Sequence, residues 1–140
     1  MAEKTIRLEV VTPERIVVDE DVRIVMAPAL LGEFGVLPGH TPFLTTLKIG
    51  AMHYYDGAGA EQFIFVSGGF AEALPNKVTV LAESAERRRD IDVERAKRAL
   101  ERAQQRLAEE GKRQDIDFTR ARAALERALY RLKMASSPNI

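Results

Sequence analysis

The sequence predicts an α+β chain, with an N-terminal antiparallel β-sandwich or barrel over residues 1–86 and a C-terminal antiparallel α-helical hairpin over residues 87–140. Apolar residues alternate with a period of two through the first eighty or so positions, then recur with the 3.6 period of a helix. Eight of the nine glycines and five of the six prolines fall in the first part, as a turn-rich sheet requires. The phrase Asp90-Ile91-Asp92-Val93-Glu94-Arg95-Ala96 is echoed by Asp115-Ile116-Asp117-Phe118-Thr119-Arg120-Ala121. Each copy opens a stretch rich in Ala, Leu and Arg, so two helices of similar length are expected.

The strands follow in order. Ile6, Leu8 and Val10 alternate with Arg7 and Glu9. Short runs at 15–18 and 22–26 follow, separated by what reads as an acidic turn at Asp19-Glu20-Asp21. Further β-rich runs occupy 44–49, 51–55, 62–66 and 77–81. Asp56-Gly57-Ala58-Gly59 and Pro75-Asn76 have turn composition. The Gly- and Pro-rich segment from Leu31 to Pro42 reads as a structural turn. It lacks the Lys-Ser/Thr that completes a phosphate-binding loop, and it lies between β runs rather than at a helix start. Many short strands at close spacing indicate a sandwich or barrel. The interval Glu83–Asp90, with Arg87-Arg88-Arg89, reads as a polar link.

Asp92 is placed to cap the first helix and Asp117 the second, each offering a side-chain oxygen to a backbone N–H of the first turn. Gly111 suits the left-handed stop of the first helix. At 100° per residue, Val93, Ala96, Leu100, Ala103 and Leu107 form one stripe, and Ala121, Leu125, Ala128 and Leu132 form another. Small residues allow close packing but bury little area. At about 25 cal/mol per Å², such a seam contributes only a few kcal/mol before chain entropy is subtracted. Both a plain packed hairpin and one that opens at small cost fit this pattern.

The formal net charge is zero, but residues 1–82 carry 6 Lys/Arg against 10 Asp/Glu, and residues 83–140 carry 15 against 11. A basic tail on an acidic front fits either a negative partner or a solvated surface using both signs. There are no cysteines, which excludes disulfides, thiolate metal sites and thiol catalysis. No stretch approaches the length of a membrane span, and no apolar leader precedes the first strand, so a soluble chain without direct membrane insertion is expected. Ser67-Gly68-Gly69 lacks the frame of a nucleophile elbow. His40 and His53, the only histidines, have no metal-ligand spacing. The residues assemble no catalytic set and no metal site, and an enzyme is not expected.

The arginines carry the remaining signal. Arg95, Arg98, Arg102 and Arg106 lie along one side of the first helix, and Arg120, Arg127 and Arg131 along the second. Arg98 has Glu94 and Arg106 has Glu110 at pairing distance along the helix, whereas Arg102, Arg127 and Arg131 have no carboxylate three or four residues away. Guanidinium groups suit bidentate contact with phosphate, so two such clusters on facing helices can clamp one. Solvated arginines, or arginines paired with carboxylates elsewhere in the fold, fit the spacing as well. A free-standing basic hairpin for an anionic partner such as nucleic acid is the alternative. The acidic front and few aromatics speak against nucleic acid.

Two segments, Gly32-Glu33-Phe34-Gly35-Val36-Leu37-Pro38-Gly39-His40-Thr41-Pro42 and Val66-Ser67-Gly68-Gly69-Phe70-Ala71-Glu72, resemble the epsilon subunits of bacterial rotary F-type ATP synthases. The phrases Ile91-Asp92-Val93-Glu94-Arg95-Ala96 and Asp117-Phe118-Thr119-Arg120-Ala121 add to the likeness, which covers nearly the whole chain. The resemblance implies a non-catalytic rotor subunit, peripheral on the cytoplasmic face of the plasma membrane. Its β domain would meet the gamma subunit and the membrane-embedded c-ring at the foot of the stalk. Its hairpin would lie folded or extend along gamma to the catalytic alpha and beta subunits, blocking ATP hydrolysis. No cofactor is implied as a requirement. ATP is implied as a regulatory ligand, with or without Mg²⁺, bound through an Ile/Leu-Asp-x-x-Arg-Ala motif that stands here as Ile91, Asp92, Arg95 and Ala96. Glu86, Arg102, Arg127 and Arg131 occupy the positions where the resemblance expects the other contacts.

Overall fold

The computed structural model describes residues 4–109 and 115–136, and the backbone alone of residues 115–117. The chain divides into two compact units, residues 1–88 and 89–140.

The first unit is a nine-stranded sheet built from β1 (Ile6–Val11), β2 (Ile16–Ala29), β3 (Gly32–Val36), β4 (Phe43–Thr46), β5 (Gly50–Asp56), β6 (Glu61–Ser67), β7 (Phe70–Leu74), β8 (Lys77–Leu81) and β9 (Ser84–Arg87). The strand order is β4-β7-β8-β1-β2-β5-β6-β9, with β3 joined to β2. All pairings between these strands are antiparallel except β1 with β8, which is parallel, so the purely antiparallel expectation is corrected at that one seam.

β2 organises the sandwich. Its first half pairs with β1, and its second half pairs with β3 and β5, so one fourteen-residue strand serves both layers. The sequence reading had broken this strand at Asp19-Glu20-Asp21. The acidic run stays in the strand because Arg7 of β1 lies across from it. The Arg7 guanidinium meets Asp19 at 2.8 Å and Asp21 at 3.3 Å. Ile6, Leu8, Val10, Val18, Val22, Val25, Met52, Tyr54, Ile64, Val78 and Val80 point inward and are almost wholly buried, following the alternation of the pleat except in β2, where the register shifts between Val22 and Ile24.

Three strands fall outside the expected β runs. β3 lies inside the Gly-rich segment and pairs with β2 from Val25–Val36 to Ala29–Gly32, which leaves Leu30 and Leu31 as the hairpin tip. β7 follows the Gly68-Gly69 turn and pairs with β4 and β8. β9 occupies the supposed polar link and pairs with β6 from Ile64–Arg87 to Ser67–Ser84.

The second unit holds α1 (Val93–Glu109) and α2 (Asp115–Ser136), which pack against one another as a hairpin. A 3-10 turn at Arg88–Asp90 precedes α1. Ala96 and Ala103 of α1 and Ala121 and Ala128 of α2 are buried, each pair seven residues apart. Equal spacing on antiparallel helices lets the two pairs meet at two levels. Leu100, Leu107, Leu125 and Leu132 flank them half-buried. Val93 departs from the expected stripe and stays exposed at the helix start, and Met134, outside that stripe, is fully buried. α2 begins at Asp115, two residues before the expected cap at Asp117, whose side chain lies outside the described residues, as does Gly111. Neither described helix is apolar enough to cross a membrane.

Candidate nucleotide site on the helical hairpin

Four of the eight candidate residues lie in or beside the first turn of α1. Asp92 is the N-cap: its Oδ1 accepts a hydrogen bond from the Arg95 backbone N–H at 3.1 Å. Its carbonyl accepts from the Ala96 N–H at 3.0 Å, the first bond of the helix. Ile91 and Ala96 are buried on either side of the cap, which fixes the turn, while the side chains of Asp92 and Arg95 are exposed. The motif thus alternates two anchoring apolar residues with two outward polar ones.

Arg102 follows Arg95 by two turns of α1 and is exposed. Arg127 and Arg131 are one turn apart on α2 and half-buried, with Arg127 next to the buried seam residue Ala128. In an antiparallel hairpin the Arg127–Arg131 turn lies alongside the start of α1, at the level of the Asp92–Ala96 motif. Glu86 is the one candidate outside the second unit. It belongs to β9 in the first unit, half-buried and opposite Phe65 of β6.

The charge pattern differs in detail from the spacing argument. Glu94 is met by Lys97 at 3.7 Å rather than by Arg98, and Arg122 reaches Glu126 at 4.0 Å. Arg131 has an interaction of its own and is not a bare cation. Arg102 and Arg127 make no ion pair with another described residue. The partner expected for Arg106, Glu110, lies outside the described residues. The arrangement therefore offers a capped turn and several guanidinium groups on two packed helices, able to hold an anionic ligand by charge-assisted hydrogen bonds.

A second cluster, at the end of the sheet, was missed by the sequence reading. Arg87 donates from Nη1 to the Tyr54 hydroxyl at 3.2 Å. Arg88 lies over the Phe63 ring, 4.1 Å from its centroid. His53 stacks on Phe63, with ring centroids 5.6 Å apart and planes 14° from parallel. His53 also faces Glu61 at 3.2 Å and Glu33 at 3.7 Å. The available signal was the alternation of Gln62-Phe63-Ile64, which puts Phe63 on the face opposite the core and so in need of a partner.

Two family models cover nearly all of the chain. The "ATP synthase, Delta/Epsilon chain, beta-sandwich domain" matches residues 5–88, and the "ATP synthase, Delta/Epsilon chain, long alpha-helix domain" matches residues 89–136. The "ATP synthase epsilon chain" of Desulfatibacillum aliphaticivorans is 67% identical over 102 residues, which are 73% of this chain and 72% of that protein. The protein of the same name from Desulfosudis oleivorans is 63% identical over 107 residues, covering 76% of this chain and 80% of its own length. Among solved structures, a chain of the Euglena gracilis mitochondrial ATP synthase, determined as OSCP/F1/c-ring, superposes with a TM-score of 0.78. That match covers 95% of this chain and 82% of the other at 24% identity, a likeness of fold.

Proposed function

The chain belongs to the epsilon-chain family of bacterial ATP synthases, and from that premise we propose that it is a non-catalytic subunit of the central stalk whose helical hairpin restrains ATP hydrolysis and binds ATP. The sandwich unit serves as the fixed part, in contact with gamma and the c-ring. The hairpin serves as the movable part, reaching the catalytic alpha and beta subunits when it extends. The subunit is then peripheral, on the cytoplasmic face of the plasma membrane, and carries no reaction of its own.

The observation that supports ATP as the ligand is the Asp92-capped turn, with exposed Arg95 above it and Arg127 and Arg131 on the neighbouring helix. In this reading Arg95, Arg102, Arg127 and Arg131 hold the phosphates. Ile91 and Ala96 hold the turn against the base, and Asp92 shapes the site as cap and acceptor. A ligand that binds only the folded hairpin stabilises it by RT ln(1 + [L]/Kd), about 2.7 kcal/mol at a hundredfold excess over Kd. That is comparable to the few kcal/mol available from an alanine seam, so ATP holds the hairpin folded and its depletion releases it.

Calorimetric titration of the chain with ATP, with and without Mg²⁺, tests the ligand. Arg127→Ala should weaken binding by about 1.5–3 kcal/mol, the range for hydrogen bonds to charged groups. No heat at millimolar ATP, or equal affinity in the variant, rejects the clamp. Deleting residues 89–140 should raise ATP hydrolysis by the assembled enzyme, and unchanged hydrolysis would reject the restraint while leaving the stalk role.

A further inference from the structure

The last strand of the sandwich is a short edge strand, and short edge strands fray unless side chains hold them. β9 spans four residues and, among the described strands, pairs only with β6. Its final residue and the next are both arginines, and successive residues at the end of a strand point to opposite faces. Arg87 lies opposite Ile64, on the face that also carries buried Met52 and Tyr54, and it reaches the Tyr54 hydroxyl at 3.2 Å. That hydroxyl belongs to β5, so the bond ties β9 to β5 across the intervening β6. Arg88 turns to the other face and lies 4.1 Å over Phe63, whose ring is backed by His53. Both arginines are half-buried, whereas Arg89 and Asp90, immediately after them, are exposed.

We propose that Arg87 and Arg88 form a two-sided pin that ends the rigid sandwich at Arg88 and makes residues 89–90 the pivot of the helical hairpin. A cation on an aromatic face and a hydrogen bond to a buried hydroxyl are both directional contacts. Together they fix β9 on its two faces, so reorientation of the hairpin does not peel the strand from β6. The run Arg87-Arg88-Arg89 is then divided in role, two residues being anchors and the third the first free joint. The pivot rests on the mobile hairpin proposed above. The pin does not, and the two are read by different measurements.

Hydrogen exchange on the full chain tests the pin. Phe63→Leu and Tyr54→Phe should each accelerate exchange of the β9 amides at least tenfold and leave β1 and β8 unchanged. Arg88→Lys, which keeps a cation over the ring, should retain part of the protection that Arg88→Gln loses. Unchanged β9 exchange in either Phe63→Leu or Tyr54→Phe overturns the two-sided pin. So does an equal acceleration in β1 and β8, because the side chains would then serve the core and not the exit. A hairpin that never moves would leave these results intact and would appear instead as unchanged ATP hydrolysis on its deletion.

Discussion

The sandwich and the hairpin are held together by different physics. In the sandwich, the largest fully buried side chains are Tyr54, Phe65, Ile6, Leu8, Met52 and Ile64. Its pairings join residues far apart in sequence, such as β1 with β8 and β2 with β5. In the hairpin unit, four of the buried residues are the alanines at 96, 103, 121 and 128, beside Ile91 and Met134, and the two helices are neighbours in the chain. Large buried side chains and non-local pairing give a cooperative unit with a high cost of partial opening. An alanine seam between adjacent helices gives one whose closed state is only slightly favoured. A subunit built this way can change one part without loosening the other.

The strongest way to break that comparison is to separate the two parts. A chain ending at Arg88 should keep a cooperative, β-rich thermal transition. Residues 89–140 alone should lose most of their helical circular dichroism at room temperature, because short isolated helices are marginal in water. A stable isolated hairpin would remove the contrast.

Within the sandwich, Gly69 gives the sharpest point test. It sits at φ +103, and an added Cβ would run into the Leu81 carbonyl oxygen and lie 2.8 Å from the Ala82 Cα. Backbone lines that space and cannot move aside as a side chain can. Gly69→Ala should cost about 3 kcal/mol or more in denaturant unfolding, from overpacking plus positive-φ strain. Gly32, at φ +134 with open space around it, is the control. Gly32→Ala should cost only the backbone term, about 1–2 kcal/mol.

The hairpin should respond on a smaller scale. Ala103→Leu forces extra methylenes into the seam and should destabilise the helices by about 1–3 kcal/mol. Asp92→Ala removes the cap on the Arg95 N–H and should cost about 1 kcal/mol. Both are read as loss of helical signal with the sandwich transition unmoved. A shift of the sandwich transition in either variant would show that the units unfold as one.

The same contrast explains what the sequence disclosed. Both helices were legible because their signals are local: a capping Asp, a 3.6 period, alanines at fixed intervals. β1, β5, β6 and β8 were legible because alternating Val, Ile, Leu and aromatics mark them. β3, β7 and β9 were not. Their sequences, GEFGV, FAEAL and SAER, contain one β-branched residue among them. What makes them strands is their pairing, β3 with β2 and β7 with β8 across tight turns and β9 with β6, and residue type alone does not reveal it. The acidic run in β2 misled for the same reason, since Arg7 neutralises it from another strand. At the candidate site, the Asp92 cap was readable from residue type and position. The pairing of Glu94 with Lys97, and the partner of Arg131, depended on rotamers and on the fold.

The smallest effect concerns acid, and it sharpens the comparison by giving the sandwich a local pH response. Asp56 ends β5 and closes the turn into β6. Its Oδ1 accepts from the Ala60 N–H at 2.9 Å and the Ala58 N–H at 3.0 Å, and its Oδ2 accepts from Gln62 at 3.2 Å. These bonds favour the carboxylate, the Ala60 N–H most, and hold its pKa below the ordinary 3.8. A carboxyl whose folded pKa is depressed stabilises the fold above its unfolded pKa. That contribution is lost as pH falls from 3.8 through the lower folded value. Wild type should therefore melt above Asp56→Asn at pH 6, and the gap should narrow as pH falls below about 4, because protonation removes the charge that the variant already lacks. Only the sandwich transition should carry the difference. A gap constant from pH 6 to pH 3 would mean that the turn is held by its backbone, with Gly59 at φ +84 and its N–H bonded to the Asp56 carbonyl at 2.9 Å, and not by the carboxylate.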